Sequence, residues 1–250
     1  MRIACIHAHP DDAEILAGGT LALLAREGHQ ITIVTMTAGD CGSTEYGPKE
    51  IATIRKAEAA ESAASIGAEY RCAGFHDLAI FNDDASRRTV TGLLREIKAE
   101  IVLTASPADY HCDHEATSQL VRDACFGASV PNYQTSGNAV PLPAIPHLYF
   151  VDPIEFVDRN GRPIAPDFVI NIESTFETKK TMLSKHASQR AWLRKQHGMD
   201  DYLTQMEQWT RTGGARAGIA FGEGFRHYRI HPFPKTPALQ ELLSAYNSKL

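Results

Sequence analysis

Two short stretches of metal-binding residue types, each lying between an apolar run and a helical pattern, constrain this chain of 250 residues most strongly. The first, HAHPDDAE at residues 7–14, follows an opening apolar run and precedes a helical pattern at 15–27. The second, HCDH at residues 111–114, follows the apolar run 101–105 and precedes a helical pattern at 115–126. Short apolar runs of this kind are typical of buried strands. The sequence therefore predicts a repeated unit of strand, polar turn and helix.

This alternation predicts an α/β fold with a mostly parallel sheet. Ligands bind outside the carboxyl ends of parallel strands, so two neighbouring strands would bring both polar stretches to one crevice. No G-x-G-x-x-G motif follows the first strand, which leaves a dinucleotide-binding function with little support. A chain of this length with 43% hydrophobic residues can bury one large core. We therefore predict a single domain over residues 1–250, in which the part from about residue 147 completes the pocket.

The first polar stretch has a structural explanation as well as a chemical one. Pro10 suits a helix start, and Asp11 and Asp12 can accept the free N–H groups of the first helical turn. Capping, however, requires neither a histidine before the proline nor two adjacent carboxylates. Zinc in a hydrolytic site takes three ligands from His and Asp or Glu and leaves a fourth position for water. The two stretches contain more such groups than that, and the surplus can serve as acid, base and oxyanion donor.

The sequences HPDD at residues 9–12 and HCDH at residues 111–114 together resemble the LmbE-like, or PIG-L, family of zinc-dependent N-acetylglucosamine de-N-acetylases. The family pattern is an apolar strand, then His-Pro-Asp-Asp, and later His-x-x-His with an aspartate before the last histidine. Each half alone is a weak match, but both halves in this order are specific. The resemblance implies a Rossmann-like three-layer sandwich with the metal site at the C-terminal ends of the strands.

The same resemblance implies a role for each polar residue. The implied metal ligands are His9, Asp12 and His114. Asp11 is then the general base, His111 faces the developing oxyanion, and Asp113 orients the His111 ring. Zinc is the expected metal, although two histidines and one carboxylate also suit ferrous iron. The roles of the neighbouring Tyr110 and Cys112 stay open.

Residues outside the two stretches match family positions near the sugar. Arg55 lies in a helical pattern, and the resemblance implies that it contacts sugar hydroxyls; without the resemblance, an arginine near a glutamate at helical spacing is usually a surface ion pair. Asp77 matches an acidic position that faces the sugar. His186 ends a predicted helix at 174–186, and a further helix is predicted at 188–209. His186 can line the site, but an isolated helical histidine is more often a packing or surface residue.

Composition narrows the class of partner. The net charge of −5 and the absence of a Lys/Arg run argue against nucleic-acid binding. No apolar run approaches membrane length, and the chain enters its first strand without a signal segment. Five cysteines without a C-x-x-C spacing indicate reduced thiols. We predict a cytoplasmic protein with a small amino-sugar substrate and neither a nucleic-acid nor a membrane partner; the resemblance adds a homo-oligomer.

The implied reaction is removal of the N-acetyl group from an N-acetylglucosamine-type sugar or glycoside by metal-activated water. Two alternatives stay open. The first is an amidase of the same family that acts on a thiol-conjugate or another N-acyl amino sugar. The second, from a different class, is a non-catalytic, metal-dependent sugar-binding protein, which the presence of both Asp11 and His111 disfavours. The group on the anomeric carbon of the sugar is not predicted.

Overall fold

Strands and helices alternate through the first part of the chain. The structure is a computed structural model that describes residues 1–135, 137–190 and 202–248. The first nine elements are β1 (Arg2–His7), α1 (Asp12–Arg26), β2 (Gln30–Thr37), α2 (Pro48–Ala64), β3 (Glu69–Phe75), α3 (Asp84–Ile97), β4 (Ile101–Thr104), α4 (Cys112–Ala128) and β5 (His147–Val151). They are followed by β6 (Phe168–Asn171), α5 (Phe176–Ser184), α6 (Tyr202–Ala215), β7 (Gly222–His227), α7 (Ala238–Leu242) and β8 (Asn247–Ser248).

These strands form one eight-stranded sheet in the order β3-β2-β1-β4-β5-β7-β6-β8. The first five strands in this order pair in parallel, whereas β7 runs antiparallel to both β5 and β6, and β6 runs antiparallel to β8. The predicted α/β fold with a mostly parallel sheet is therefore confirmed. β4 lies directly beside β1, so the two polar stretches follow strands that are neighbours in the sheet.

The central strand β1 is buried on both faces, which explains its continuous apolar sequence. Side chains alternate along a strand, so Ile3 and Cys5 point into one core while Ala4 and Ile6 point into the other. The first core packs residues of α1, α5, α6 and α7 against the sheet, and the second packs residues of α3 and α4. Helices on both faces of one sheet give the predicted three layers.

A buried ion pair fixes α1 against the C-terminal half of the chain. Lys179 Nζ lies 2.7 Å from Glu223 Oε1, and both side chains are almost fully buried. The Glu223 carboxylate also accepts the backbone N–H groups of Gly19 and Thr20 on α1, at 2.9 and 2.7 Å. A Cβ on Gly19 would clash with Ile172 Cδ1, so this glycine allows the close approach of α1 to Ile172.

Two helices were predicted in the region after β6. The first, at 174–186, corresponds to a short 3-10 turn at Glu173–Thr175 followed by α5. The second, at 188–209, overlaps residues 191–201, which lie outside the described residues; its described parts are helical at 187–190 and in α6. Within the described ranges, no helix combines the length and the apolar character needed to cross a membrane.

Candidate active site

The first polar stretch forms the turn between β1 and α1, and the backbone of this turn is unusual. Asp11, the residue before α1, has φ 103° and ψ −27°, a left-handed conformation that residues other than glycine rarely adopt. Its side chain makes no hydrogen bond to the first turn of the helix. The neighbouring Asp12 carboxylate accepts the backbone N–H of His9 at 2.8 Å. Capping therefore does not explain Asp11, whose carboxylate is turned into the protein.

The second polar stretch begins at the end of the turn between β4 and α4 and continues into the first turn of α4. His111 is the cap residue of α4, and its Nδ1 accepts the backbone N–H of Asp113 at 3.1 Å. Because β1 and β4 are adjacent, this turn meets the first one. The ring centroids of His9 and His111 are 4.9 Å apart, and those of His9 and His114 are 5.4 Å apart. Residues that are distant in sequence thus surround one small volume.

The Asp12 carboxylate lies between two of these histidines. Its Oδ2 is 3.5 Å from His9 Nδ1 and 3.4 Å from His114 Nε2. Two ligands at ordinary zinc distances with a tetrahedral angle between them would be about 3.4 Å apart. The Asp12 oxygen thus lies at ligand-to-ligand distance from both predicted histidine ligands. Ring nitrogens of His9, His111 and His114 also lie within 4.8 Å of one another, so His111 is close enough to reach an ion or its water.

Each of the two predicted ligand histidines has a carboxylate close to its other ring nitrogen. His9 Nε2 lies 3.1 Å from Asp113 Oδ2, and His114 Nδ1 lies 3.0 Å from Asp109 Oδ1. Metal-binding histidines usually donate their second N–H to such a group, which fixes the ring and raises its basicity. The carboxylate of Asp113 thus contacts His9, while the orienting role toward His111 that the resemblance implies stays a prediction. Its other partner is the backbone N–H of Leu78, at 2.7 Å.

Asp109 is a site residue that the sequence analysis did not single out. Its side chain is fully buried, and its Oδ1 also accepts the backbone N–H of His111 at 3.1 Å. Its Oδ2 has no hydrogen-bond partner among the described residues. The only signal in the sequence was a carboxylate in the loop before α4. Its distance from His114 depends on the path of that loop, which no pattern of residue types specifies.

The two adjacent aspartates have opposite pKa shifts. Burial raises the pKa of Asp11, and the nearby Arg55 only partly offsets this effect. Burial alone would also raise the pKa of Asp12, but the contacts with His114 and His9 outweigh burial and hold the pKa of Asp12 well below its usual range. Two carboxyl groups whose environments separate their pKa values in this way are suited to different tasks. Asp12 stays ionised as a ligand would, while Asp11 can accept a proton more readily.

His111 and His114 also have pKa shifts in opposite directions. Burial, together with His9 and His114, lowers the pKa of His111. Burial also acts against protonation of His114, but the carboxylates of Asp12 and Asp109 raise its pKa well above the usual value. Since His111 Nδ1 accepts a backbone N–H, the neutral ring carries its proton on Nε2. His111 can therefore donate a hydrogen bond without being charged.

The Asp11 carboxylate is held by residues from two other helices. Tyr202 on α6 donates a hydrogen bond to Asp11 Oδ2, and Arg55 Nη2 on α2 lies 3.9 Å from Oδ1. Arg55 is buried, with 3% of its surface exposed, and its guanidinium donates to the backbone carbonyls of Pro10 and Gly39. Arg55 therefore supports the turn that carries Asp11, and its contact with sugar hydroxyls stays a prediction.

The remaining predicted residues lie around this centre. Asp77 Oδ1 is 3.9 Å from His9 Nε2, and its carboxylate accepts from Thr37 and from the backbone of Cys41. His186 is buried and pairs with Glu14 at 3.1 Å; Glu14 opposes the effect of burial and raises the pKa of His186. His186 is thus a buried partner of α1 rather than a surface residue.

Two neighbours of the histidines are open to solvent. Tyr110 is 62% exposed, and its ring meets the His111 and His114 rings edge-on at centroid distances of 5.7 and 5.5 Å. Cys112 is an exposed free thiol whose Sγ lies 3.9 Å from Asp113 Oδ1. Neither residue has a contact that assigns it to the ligand set already described.

Comparison with known proteins identifies the family. Residues 4–125 match the family model described as PIG-L, GlcNAc-PI de-N-acetylase, and this range contains both polar stretches. The chain carries a PIG-L family domain. The family predicted from the two motifs is thereby confirmed. The diacetylchitobiose deacetylase of Thermococcus kodakarensis is similar to this chain, with 26% identity over 235 residues that cover 90% of this chain and 82% of the relative.

Solved structures share the fold of the PIG-L domain. The N,N'-diacetylchitobiose deacetylase of Pyrococcus horikoshii superposes with a TM-score of 0.76 at 24% identity, covering 94% of this chain and 87% of that chain. The 4-carboxy-2-hydroxymuconate hydratase of Pseudomonas putida superposes with a TM-score of 0.73 at 22% identity, covering 94% and 98%. The same fold thus occurs in enzymes with different reactions, so the reaction must be argued from the site.

The site extends beyond the matched range of the PIG-L domain. The predicted ligands and Asp11, Asp109, His111 and Asp113 all lie within residues 4–125. Tyr202 and His186 lie outside that range, yet they contact Asp11 and Glu14 at the start of α1. The surroundings of the PIG-L motif residues are therefore completed by the second half of the chain.

Proposed function

We propose that this protein is a metal-dependent amide hydrolase that removes the acetyl group from an N-acetylglucosamine-type sugar or glycoside. The observation that carries the proposal is the pair of carboxylate–histidine contacts, Asp113 with His9 and Asp109 with His114, on either side of Asp12. A surface cluster of histidines has no need of two buried carboxylates behind it. The similar diacetylchitobiose deacetylases of Thermococcus kodakarensis and Pyrococcus horikoshii support the choice of an N-acetyl amino sugar.

We propose a divalent ion held by His9, Asp12 and His114. Zinc suits two imidazoles and one carboxylate at these distances, and ferrous iron suits the same donors. The ion would supply a water molecule of lowered pKa and a positive charge next to the amide oxygen. Asp113 and Asp109 would fix the two ligand rings in the orientation that binding needs.

Asp11 is the proposed general base. It adjoins the ligand Asp12 in sequence, and its carboxyl group is buried with a raised pKa. A base of raised pKa takes a proton from the attacking water more readily than an ordinary aspartate does. The same carboxyl group then returns the proton to the nitrogen of the leaving amine as the C–N bond breaks. The amide carbon thereby gains the water oxygen, and acetate and the free amino sugar leave.

His111 is the proposed oxyanion donor. Its Nε2 carries the proton of the neutral ring, because Nδ1 accepts the Asp113 backbone N–H. A fixed donor that faces the developing negative charge is typically worth a few kcal/mol, roughly 3 kcal/mol per donor. A neutral imidazole fits this role, so activity need not depend on a protonated His111.

The sugar side of the pocket is proposed to involve Asp77 and Arg55 in different ways. Asp77 lies next to His9 and is close enough to the centre for a direct hydrogen bond to a sugar hydroxyl. Arg55 is buried behind Asp11, so its contribution to substrate binding is proposed to be indirect, through the backbone of Pro10 and Gly39. An Asp77→Asn variant should therefore raise KM.

The test is release of acetate and free amine from N-acetylglucosamine, several of its glycosides and a thiol-conjugate. The protein is first stripped with a chelator and then supplied with zinc or with ferrous iron under anaerobic conditions. Metal-dependent release from one class of substrate supports the proposal and ranks the anomeric groups. Tight sugar binding without release, with metal bound, would instead support the non-catalytic sugar-binding protein.

The proposal also covers the organisation of the protein. We infer one catalytic domain over residues 1–250, because Tyr202 and His186 from the second half contact the first turn of α1 and the residue before it. A cytoplasmic location agrees with the free cysteines. A homo-oligomer is proposed from the resemblance to the family alone. Light scattering after size-exclusion chromatography measures the oligomeric state, and a monomer at all concentrations would contradict that part.

A further inference from the structure

The hydroxyl group of Tyr202 is an unassigned feature of the site. Tyr202 is the first residue of α6, is 3% exposed, and donates its Oη proton to Asp11 Oδ2 across 191 positions of sequence. No sequence motif marks it. A buried tyrosine usually finds a hydrogen-bond partner, but here the partner is the carboxylate of the proposed base.

The partner of this hydroxyl is strained. Asp11 has φ 103°, which costs a non-glycine residue free energy and persists only where surrounding contacts impose it. The Asp11 side chain makes no hydrogen bond to the first turn of α1 that would offset this free energy. Arg55 holds the preceding carbonyl, Pro10 O, at 2.8 Å, but its Nη2 is 3.9 Å from Asp11 Oδ1, beyond hydrogen-bond distance. The Tyr202 hydroxyl is the close contact that acts on the carboxylate itself.

We propose that Tyr202 is a positioning residue: its hydroxyl fixes the orientation in which the Asp11 carboxylate meets the attacking water. The inference rests on the proposed function, in which Asp11 is the base. A proton transfer requires the base within hydrogen-bond reach of the water and in the right direction. Because the Tyr202 ring is also part of the hydrophobic core, its packing must be separated from the action of its hydroxyl group.

The variant that makes this separation is Tyr202→Phe, which removes one oxygen and keeps the ring. The chain offers a matched control in Tyr149→Phe. Tyr149 is fully buried on β5, and its hydroxyl accepts the backbone N–H of Leu239 and donates to Gln240 on α7, both at 3.1 Å. The control therefore also loses a buried, hydrogen-bonded hydroxyl, but one with partners outside the site.

The kinetic test compares kcat, KM and bound metal for the wild type, Tyr202→Phe, Tyr149→Phe, Asp11→Asn and the Asp11→Asn/Tyr202→Phe double variant. We expect Tyr202→Phe to lower kcat roughly 10- to 100-fold, as loss of a supporting hydrogen bond commonly does, with KM and metal content unchanged. Tyr149→Phe should keep the wild-type kcat. If Tyr202 acts only through Asp11, its loss should have no further effect on the Asp11→Asn enzyme.

Two kinetic results overturn the inference. One is a Tyr202→Phe enzyme with the kcat of Tyr149→Phe, which would leave Tyr202 as a core residue only. The other is an equal additional loss of kcat in the Asp11→Asn background, which would mean that Tyr202 acts independently of Asp11.

A second measurement does not require activity. Crystal structures of the wild type and Tyr202→Phe should differ in the Asp11 side-chain torsion or in its left-handed backbone, and Tyr149→Phe should match the wild type there. An Asp11 that keeps its position without the hydroxyl overturns the inference. If the wild type releases acetate from no substrate, the proposed function fails, while this comparison still decides whether Tyr202 positions Asp11.

Discussion

Replacing Asp109 tests whether the carboxylates behind the ligand histidines tune metal binding. Asp109 is fully buried, and its Oδ1 lies 3.0 Å from His114 Nδ1. An Asp109→Asn variant keeps an oxygen that can accept the His114 N–H but loses the charge, whereas Asp109→Ala loses both. Loss of such a partner usually weakens metal binding roughly 10- to 100-fold. We therefore expect about 10-fold weaker zinc binding for Asn and about 100-fold for Ala, or about 1.4 and 2.8 kcal/mol.

The assay is competition for zinc with a chromophoric chelator at fixed pH. Asp123→Asn is the matched control, because Asp123 lies further along α4 and its carboxylate accepts from Asn82 and Arg122. Its zinc affinity should equal that of the wild type. Thermal unfolding of the metal-free variants separates loss of affinity from loss of folding. Zinc binding by Asp109→Asn and Asp109→Ala as tight as that of the control would refute the carboxylate–histidine argument.

Three further predictions address the base, the fold and acid stability. Asp11→Asn should keep its metal but lower kcat roughly 100- to 10,000-fold, which leaves a measurable residual rate, whereas His114→Ala should lose both metal and turnover; acetate release and metal analysis measure this, and an Asp11→Asn enzyme with the wild-type kcat would remove Asp11 as the base. Lys179→Met should leave the Glu223 charge buried without its partner at 2.7 Å, lowering the urea unfolding free energy by about 3–5 kcal/mol; an unchanged value would contradict this. Burial and Arg229 lower the pKa of His227 from 6.5 to about 4. Between these two pH values the unfolded state binds more protons than the folded state, so the free energy of unfolding should fall as the pH drops from 6.5 to 4. His227→Phe should flatten that fall in Tm, and an identical pH profile would count against it.

The layered fold could be predicted from the sequence because it depends on local patterns. The apolar run of β1 has no polar face, which requires burial on both sides and hence helices on both sides of the sheet. The position of β7 between β5 and β6, antiparallel to both, could not be predicted from such local patterns. Its residues, Gly222–His227, read as a strand in either direction, and pairing with β5 and β6 is decided by tertiary contacts such as that of Glu223 with Lys179.

The site residues also fall into two groups, those that a sequence motif marks and those that only a tertiary contact reveals. The residue types of the proposed ligands could be found because they occupy two short motifs that follow neighbouring strands. Asp109 and Tyr202 could not, because an aspartate in a loop and a tyrosine at a helix start have no distinguishing pattern. Their importance comes only from distance, 3.0 Å to His114 Nδ1 in the first case and a contact with Asp11 in the second. The contact of Asp113 with His9 was not predicted for the same reason, and the role toward His111 that the resemblance implies stays a prediction.

The adjacent aspartates show how one motif provides two different carboxylates. Side chains of consecutive residues in a regular turn could face one centre, and two carboxylates there would compete for protons. The left-handed backbone of Asp11 gives the two carboxylates different partners, because Asp12 lies between His9 and His114 while Asp11 contacts Tyr202. The contacts with His114 and His9 then lower the pKa of Asp12, and burial raises the pKa of Asp11. The strain at Asp11 is thus connected to function, since a relaxed turn would lose the difference between ligand and base that the proposed hydrolysis needs.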